Sequence, residues 1–520
     1  MGPLADAVME GGAEPVMRNE PGGATEASGA ASAPLQRAEE LAHVLDEAQL
    51  SRFHRKAVVV SGMGFFTDAY DLFVISTVAA LVASQWHLTT AETSWVSGAA
   101  VLGAFVGALA FGRLADVGGR KKVYAIVAAV MVAGALSSAL APNVLALVLS
   151  RFVLGLGIGG DYPVSAVLVS EYSNRRDRGR LVSMVFSMQA LGLVVGPLVA
   201  LGLLETNAGH ELTWRLLLAL GAVPALAVMY LRAKMPESPR FQAEVQGRTA
   251  RAAQELTAFS EGALPALGRK APAQGPASSA VASKARPSWA RMLKLVAGTA
   301  GAWFVFDYAY YGNTLSLPAI LKGVDPTASV TAKLMWSLAM FVVFAVPGYA
   351  ASISWMDRVG HRRLQFWGFG ALAVAFSALA AVPSLTANIG AFIAVFGFSY
   401  FFVEFGPNTT TFVLPSEVFP VQWRTTGHGF AAGLGKLGAF AGVFLVPALE
   451  ARLGLRPMLA IAAGAAGLGL ALTCLLPETA QKALGQLSSP GRTAANAKGG
   501  ASGKRASSTG DLQGEVERVA

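Results

Sequence analysis

Apolar runs of roughly 20 residues recur along the chain between short polar turns, the length of helix that crosses a bilayer. They fall near residues 57–83, 95–115, 123–141, 144–170, 181–203 and 214–232. A second set lies near 293–318, 334–355, 364–383, 387–414, 426–449 and 457–476. The pattern predicts an all-α integral membrane protein of twelve transmembrane helices in two six-helix bundles, residues 51–232 and 291–480. The flanking segments read differently. Residues 1–50 are polar, lack the short apolar stretch of a cleaved signal peptide and are expected to be disordered. Residues 233–290 form a charged central loop, with an amphipathic surface helix over Pro239–Phe259 and a disordered Ala-, Pro-, Ser- and Gly-rich stretch at 262–288. The tail, 481–520, is expected to be flexible.

Composition agrees, with 53% hydrophobic and 14% charged residues in 520, against about 25% charged in soluble proteins. The net charge of +9 raises nucleic acid as a partner. Its placement excludes that: Arg52/Arg55/Lys56, Arg120/Lys121/Lys122, Arg175–Arg180, Arg358/Arg362/Arg363 and Arg424 all fall on one alternating side. The opposite turns, such as Ala141-Pro142-Asn143, carry no Lys or Arg. This is the positive-inside pattern, placing both termini in the cytoplasm and the chain in a plasma membrane, the inner membrane if the source is bacterial. Cys474 is the only cysteine, so neither a disulfide nor a cysteine-based metal site is available within one chain.

The two sets of helices echo each other at a spacing of about 240 residues, as parallel repeats do in transporters. Asp116-Val117-Gly118-Gly119-Arg120 answers to Asp357-Arg358-Val359-Gly360-His361. Ser170-Glu171 with Arg178 answers to Ser416-Glu417 with Arg424, and Phe66-Thr67-Asp68 to Val305-Phe306-Asp307. Pro236-Glu237-Ser238 answers to Pro477-Glu478-Thr479.

These motifs, with Arg151-x-x-x-Gly155-x-Gly157, resemble the major facilitator superfamily over roughly residues 55–480. Three runs resemble its phosphate:proton symporters of fungi, plants and bacteria: Phe66 to Phe73; Gly159-Gly160-Asp161-Tyr162-Pro163 through Gln189; and Phe405-Gly406-Pro407-Asn408-Thr409-Thr410-Thr411-Phe412, followed by Lys436. The resemblance implies a phosphate pocket at Asp68, Tyr162, Gln189, Trp303, Asp307, Tyr311, Asn408 and Lys436, and proton-handling carboxylates at Asp68, Asp71 and Asp161. It also implies a cytoplasmic gate, with Glu171, Arg178, Glu417 and Arg424 bracketed by the Asp116 and Asp357 motifs. Two departures stand out. Val117 replaces a usual basic residue, which weakens the latch, and Glu404 adds a carboxylate one turn before Asn408.

Several of these residues speak for themselves. Trp303, Asp307 and Tyr311 recur at i, i+4 and i+8, one polar stripe on the seventh helix that lines a wet cavity. Asp68 lies about 16 Å along the first helix from Ala57 and shares a face with Asp71. Two carboxylates so placed cannot both ionise cheaply, so one is suited to carrying a proton. Arg151 is a counter-charge for one of them or for Asp161, or else a purely structural partner. Lys436, amid apolar neighbours, needs a carboxylate or an anionic ligand. Indole, hydroxyl and amide donors from Trp303, Tyr162, Tyr311, Gln189 and Asn408 suit a compact oxyanion.

Other motifs carry nothing. Gly155-x-Gly157-x-x-Gly160 has no preceding strand and reads as close helix packing. Gly435-Lys436 lacks the upstream glycine of a phosphate loop. The six histidines show no metal-ligand spacing, and His361 and His428 read as solvated. No cofactor is implied. The expected function is therefore not enzymatic: import of inorganic phosphate with protons by alternating access. The alternatives are another solute on the same fold, an aromatic carboxylate or a sugar, and a phosphate-binding nutrient sensor.

Overall fold

The computed structural model describes residues 41–484 apart from 207, 249, 253, 255–288 and 316, together with 487. The first bundle is α1 Arg52–Trp86, α2 Thr90–Gly118, α3 Arg120–Ala139, α4 Val144–Tyr172, α5 Arg178–Glu205 and α6 His210–Ala233. The second opens with α7, built from Trp289–Val296, a π turn at Ala297–Gly301 and Ala302–Leu315. It continues through α8 Thr331–Val359, α9 His361–Ala381, α10 Ile389–Val418, α11 Arg424–Leu453 and α12 Leu455–Thr473. Eleven of these are long and apolar enough to span a membrane among the described residues. The exception is α7, whose Trp303, Asp307 and tyrosines lower its hydropathy.

Local chemistry fixes the helix ends. Asn143 Oδ1 accepts from Ala146 N–H at 2.9 Å to start α4, and its counterpart Asn388 accepts from Ala391 N–H at 3.0 Å to start α10. Such caps satisfy N–H groups that no helical carbonyl reaches. Gly119 and Gly360, at φ 96° and 109°, turn the chain into α3 and α9. At those turns the repeated Pro-Glu motif has its use. Glu237 accepts from Arg120 and Lys121 N–H at 3.1 and 3.3 Å, and Glu478 accepts from His361 N–H at 2.9 Å. A carboxylate at a helix start also meets the positive end of the dipole.

Glycines set the close approaches. A methyl on Gly155 would lie 2.0 Å from the Ala100 carbonyl oxygen of α2, and one on Gly159 1.9 Å from that of Ala104. The halves meet along α2–α11 and α5–α8. At the α2–α11 crossing Gly112 and Gly429 lie against backbone, Thr425 and Ala108 respectively.

Two segments differ from expectation. Residues 41–47 form helical turns whose Leu41 and Leu45 are buried with Ala243 and Ala252. Asp46 and Glu47 there pair with Arg240 and Arg175. The expected surface helix is shorter, Pro239–Glu244, with its first five residues buried, and Phe259 lies outside the described residues. So do the stretches 1–40 and 262–288 and most of 481–520.

Candidate functional site

The polar side chains predicted from the sequence converge between the two bundles. Lys436 of α11 lies with its Nζ 3.4 Å from Asp307 Oδ2 and 2.8 Å from the Tyr311 hydroxyl, both on α7. The same ammonium sits over the Tyr162 ring of α4 at 4.4 Å and the Tyr311 ring at 4.3 Å. Contact with an aromatic face is favourable for a desolvated cation. Tyr162 belongs to the first half, so this cation touches both. Trp303, one turn from Asp307, packs its indole on the backbone of Gly435, where a Cβ would lie 2.6 Å from the ring.

From Tyr162 the network runs on. Its hydroxyl donates to Asp68 Oδ2 at 2.6 Å and accepts from Gln189 Nε2 at 3.1 Å. The Tyr349 hydroxyl donates to Gln189 Oε1 at 3.3 Å and accepts from Asn408 Nδ2 at 3.1 Å. Asn408 also donates to Glu404 Oε2 at 2.5 Å. Polar groups in a dry interior are stable only when so paired. Asp68, Tyr162, Gln189, Trp303, Asp307, Tyr311, Asn408 and Lys436 are all at most 3% exposed. The stripe on α7 is therefore locked into a closed network and does not line an open wet cavity. Toward the basic end, Phe65, Phe186 and Phe412 pack ring to ring beneath Tyr162.

The remaining expected carboxylates are separately partnered. Arg151 Nη1 lies 2.6 Å from Asp71 Oδ1, so of its three possible partners the arginine takes Asp71. Asp161 pairs with Arg232, Nη1 to Oδ1 at 2.8 Å, and accepts from Ser165 at 3.0 Å.

The residues expected to form a gate make a two-fold lattice at the basic end. Glu171 takes Arg120 from its own half at 3.5 Å and Arg424 from the other at 3.3 Å. Glu417 takes His361 from its own half at 2.9 Å and Arg178 from the other at 2.8 Å. Asp116 pairs with Arg120 and accepts from the backbone of Thr425 and Thr426 at the start of α11. Asp357 likewise pairs with His361 and accepts from Gly179 and Arg180 N–H at the start of α5. Each acid thus joins the halves, and the basic end is shut. Beside the lattice, burial pushes the Glu237 carboxyl above its ordinary value, a shift opposed by its bonds from Ser238 and Lys121 N–H.

Some expectations need correction. His361 is not solvated but fully buried as the counterpart of Arg120, and His428 is buried with Nε2 3.0 Å from the Phe412 carbonyl. Val117 is 68% exposed and takes no part in the ion pairs of the lattice. Arg232, Tyr310 and Tyr349 escaped the sequence reading. A lone arginine in the last turn of a membrane helix looks like an interface anchor, and single tyrosines look like packing. The echo of the two halves was the signal for Arg120 and His361.

Residues 56–489 match the sugar (and other) transporter family. The chain is 36% identical over 491 residues to the probable inorganic phosphate transporter 1-6 of Arabidopsis thaliana, covering 85% of this chain and 95% of that protein. It is 34% identical over 450 residues to the low affinity inorganic phosphate transporter 4 of Petunia hybrida, covering 77% and 84%. Among solved structures it resembles the major facilitator superfamily proton:xylose symporter XylE bound to 6-bromo-6-deoxy-D-glucose. That likeness has a TM-score of 0.69 at 19% identity, over 84% of this chain and 99% of that one.

Proposed function

As the chain belongs to the sugar (and other) transporter family, we propose that it imports inorganic phosphate with protons by alternating access of its two bundles. It is a membrane transporter and not an enzyme. The observation that carries the substrate is Lys436, the one cation of the central cluster among the described residues, shared by both halves and set among Asp307 and the neutral Tyr162 and Tyr311. A small oxyanion asks for that combination, and the relatives above are named as inorganic phosphate transporters.

In this reading Tyr162, Gln189, Trp303, Tyr311 and Asn408 donate to phosphate, and Lys436 supplies the charge. Asp307 neutralises Lys436 until the anion takes over that role, and a proton on Asp307 then removes the repulsion between them. A carboxylate there also accepts from a P–OH group, which sulfate lacks at neutral pH, and polar mismatch rejects analogues strongly. Asp68, Asp71 and Asp161 carry or hold the coupled protons, with Arg151 fixing Asp71. The lattice of Asp116, Glu171, Arg178, Asp357, Glu417 and Arg424 holds the inner mouth closed while the other side is open. The basic end faces the cytoplasm, with both termini there, in a plasma membrane or bacterial inner membrane; the one-sided Lys and Arg clusters support this.

Labelled phosphate uptake into proteoliposomes, with and without an imposed pH gradient, tests the whole. Uptake driven by an inward proton gradient is expected. Binding without uptake makes the protein a sensor, and indifference to phosphate makes it a carrier of another solute.

A further inference from the structure

Eight carboxylates are buried in the membrane helices among the described residues: Asp68, Asp71, Asp116, Asp161, Glu171, Asp307, Glu404 and Glu417. Six have a cation within ion-pair distance: Arg151 for Asp71, Arg120 for Asp116 and Glu171, Arg232 for Asp161, Lys436 for Asp307, and Arg178 and His361 for Glu417. Asp68 and Glu404 are held by neutral donors. A carboxylate taken out of water without a cation is costly as an anion, and binding a proton removes that cost.

These two are the ends of one chain of hydrogen bonds crossing the seam: Asp68, Tyr162, Gln189, Tyr349, Asn408, Glu404. The titratable groups facing Glu404 are tyrosines on every side. Tyr310 of α7 donates to its Oε1 at 3.1 Å, Tyr349 comes from α8, and Tyr400 lies one turn away on α10 itself. Tyr349 is the hinge of the arrangement. Its hydroxyl donates to Gln189 Oε1 at 3.3 Å in the other half, and it accepts from Asn408 Nδ2, the same amide nitrogen that donates to Glu404. The Glu404 carboxyl is within hydrogen-bonding reach of that hydroxyl as well. A hydroxyl has one hydrogen to donate. An ionised Glu404 draws that hydrogen to itself, whereas a protonated Glu404 has no need of it and leaves it to Gln189. Next to Glu404, Tyr310 and Asn313 line a small cavity of about 10 Å³, and the buried Asn313 amide has no partner among the described residues; one water needs about that much space.

We propose that Glu404 is a further proton-binding site of the transport cycle, in the C-terminal half and distinct from Asp307, whose protonation hands the Tyr349 hydroxyl to Gln189 and so ties the two halves together across the substrate site. This rests on the phosphate symport reading for its role in transport, but not for the proton binding itself.

The test uses the purified full chain. Glu404→Gln imitates the protonated acid. It is expected to bind phosphate within about threefold of wild type while one proton fewer enters per phosphate, and its uptake depends on pH with a slope smaller by about one per unit. Glu404→Asp, which keeps the acid, should restore the slope. An unchanged slope and proton count in Glu404→Gln would overturn the proposal and leave Glu404 a mere support for Asn408. Should that variant fail to fold, Tyr349→Phe serves: it should flatten the same pH profile, and a wild-type profile refutes the link. Infrared difference spectra between about pH 5 and pH 8 give a readout free of transport. Wild type should show the carbonyl band of a protonated carboxyl that Glu404→Gln lacks, and identical spectra sink the proposal. If wild type takes up no phosphate yet shows that band, the symport reading fails and the proton site stands.

Discussion

Lys436 Nζ stands 3.4 Å from Asp307 Oδ2, longer than the roughly 2.7–2.9 Å of a tight charge-assisted bond. The ammonium is shared among one carboxylate, one hydroxyl and two ring faces. A cation held this loosely can be taken by an incoming anion, provided that a proton on Asp307 keeps the carboxylate from being left as an unpaired charge.

Removing the carboxylate should therefore spare binding. Asp307→Asn is expected to bind phosphate normally in equilibrium binding on purified protein but to lose its pH response; a retained response excludes the exchange. Lys436→Ala removes a charged hydrogen-bond donor worth about 1.5–3 kcal/mol, so its phosphate Kd should rise by roughly 10- to 150-fold.

The basic-end lattice predicts a shift of conformation. Arg178→Ala leaves Glu417 buried with His361 as its one cation among the described residues, and breaking a buried pair costs about 3–5 kcal/mol. In a Cys474→Ser background, a cysteine placed at Ser416, whose carbonyl accepts from Ser170 of the other half, should label faster with a thiol reagent once Arg178 is replaced. Equal labelling rates would show that the lattice does not hold the mouth.

The Asp161–Arg232 pair is expected to be structural in its cost. Arg232→Ala should lower thermal stability by about 3–5 kcal/mol, since it strands a buried carboxylate. Gly64 sits against the same pair: a methyl there would lie 1.8 Å from Asp161 Oδ2 and 2.1 Å from Arg232 Nη2. Gly64→Ala should thus destabilise by about 1–3 kcal/mol. Unfolding of the solubilised protein checks both, and a neutral Gly64→Ala means the pair can move aside.

Glu237 gives a pH signature outside the membrane. Its carboxyl is raised above 4.5, chiefly by burial. Its contribution to stability is therefore full below that value and is lost as pH climbs through the higher value in the folded protein. Glu237→Gln keeps an acceptor for Arg120 and Lys121 N–H but no charge, so it should gain on wild type between about pH 4 and pH 8. A constant difference in melting temperature would contradict this.

Twelve helices and their pairing into halves were legible because each apolar run is long and each turn polar. The central cluster was legible too, since an ionisable residue in hydrocarbon calls for a partner, and Asp307 and Lys436 have each other. Partner choice was harder. Arg151 and Arg232 serve Asp71 and Asp161 by virtue of helix packing angles that no linear spacing encodes. His361 looked solvated because its neighbours are basic, but the fold turns it inward to face Glu417. Tyr349 bridges to Gln189, 160 positions away in sequence, and only the docking of α8 on α5 brings them together.

The matched glutamates after α6 and α12 have a mechanical consequence. Glu237 clasps the start of α3 and Glu478 the start of α9, so the final helix of each repeat is buckled back onto its own third. Each half is thereby fastened within itself at the basic end, independently of the joint between them. A substitution that loosened either buckle would make that half sag within itself, blunting the leverage by which one mouth shuts as the other opens.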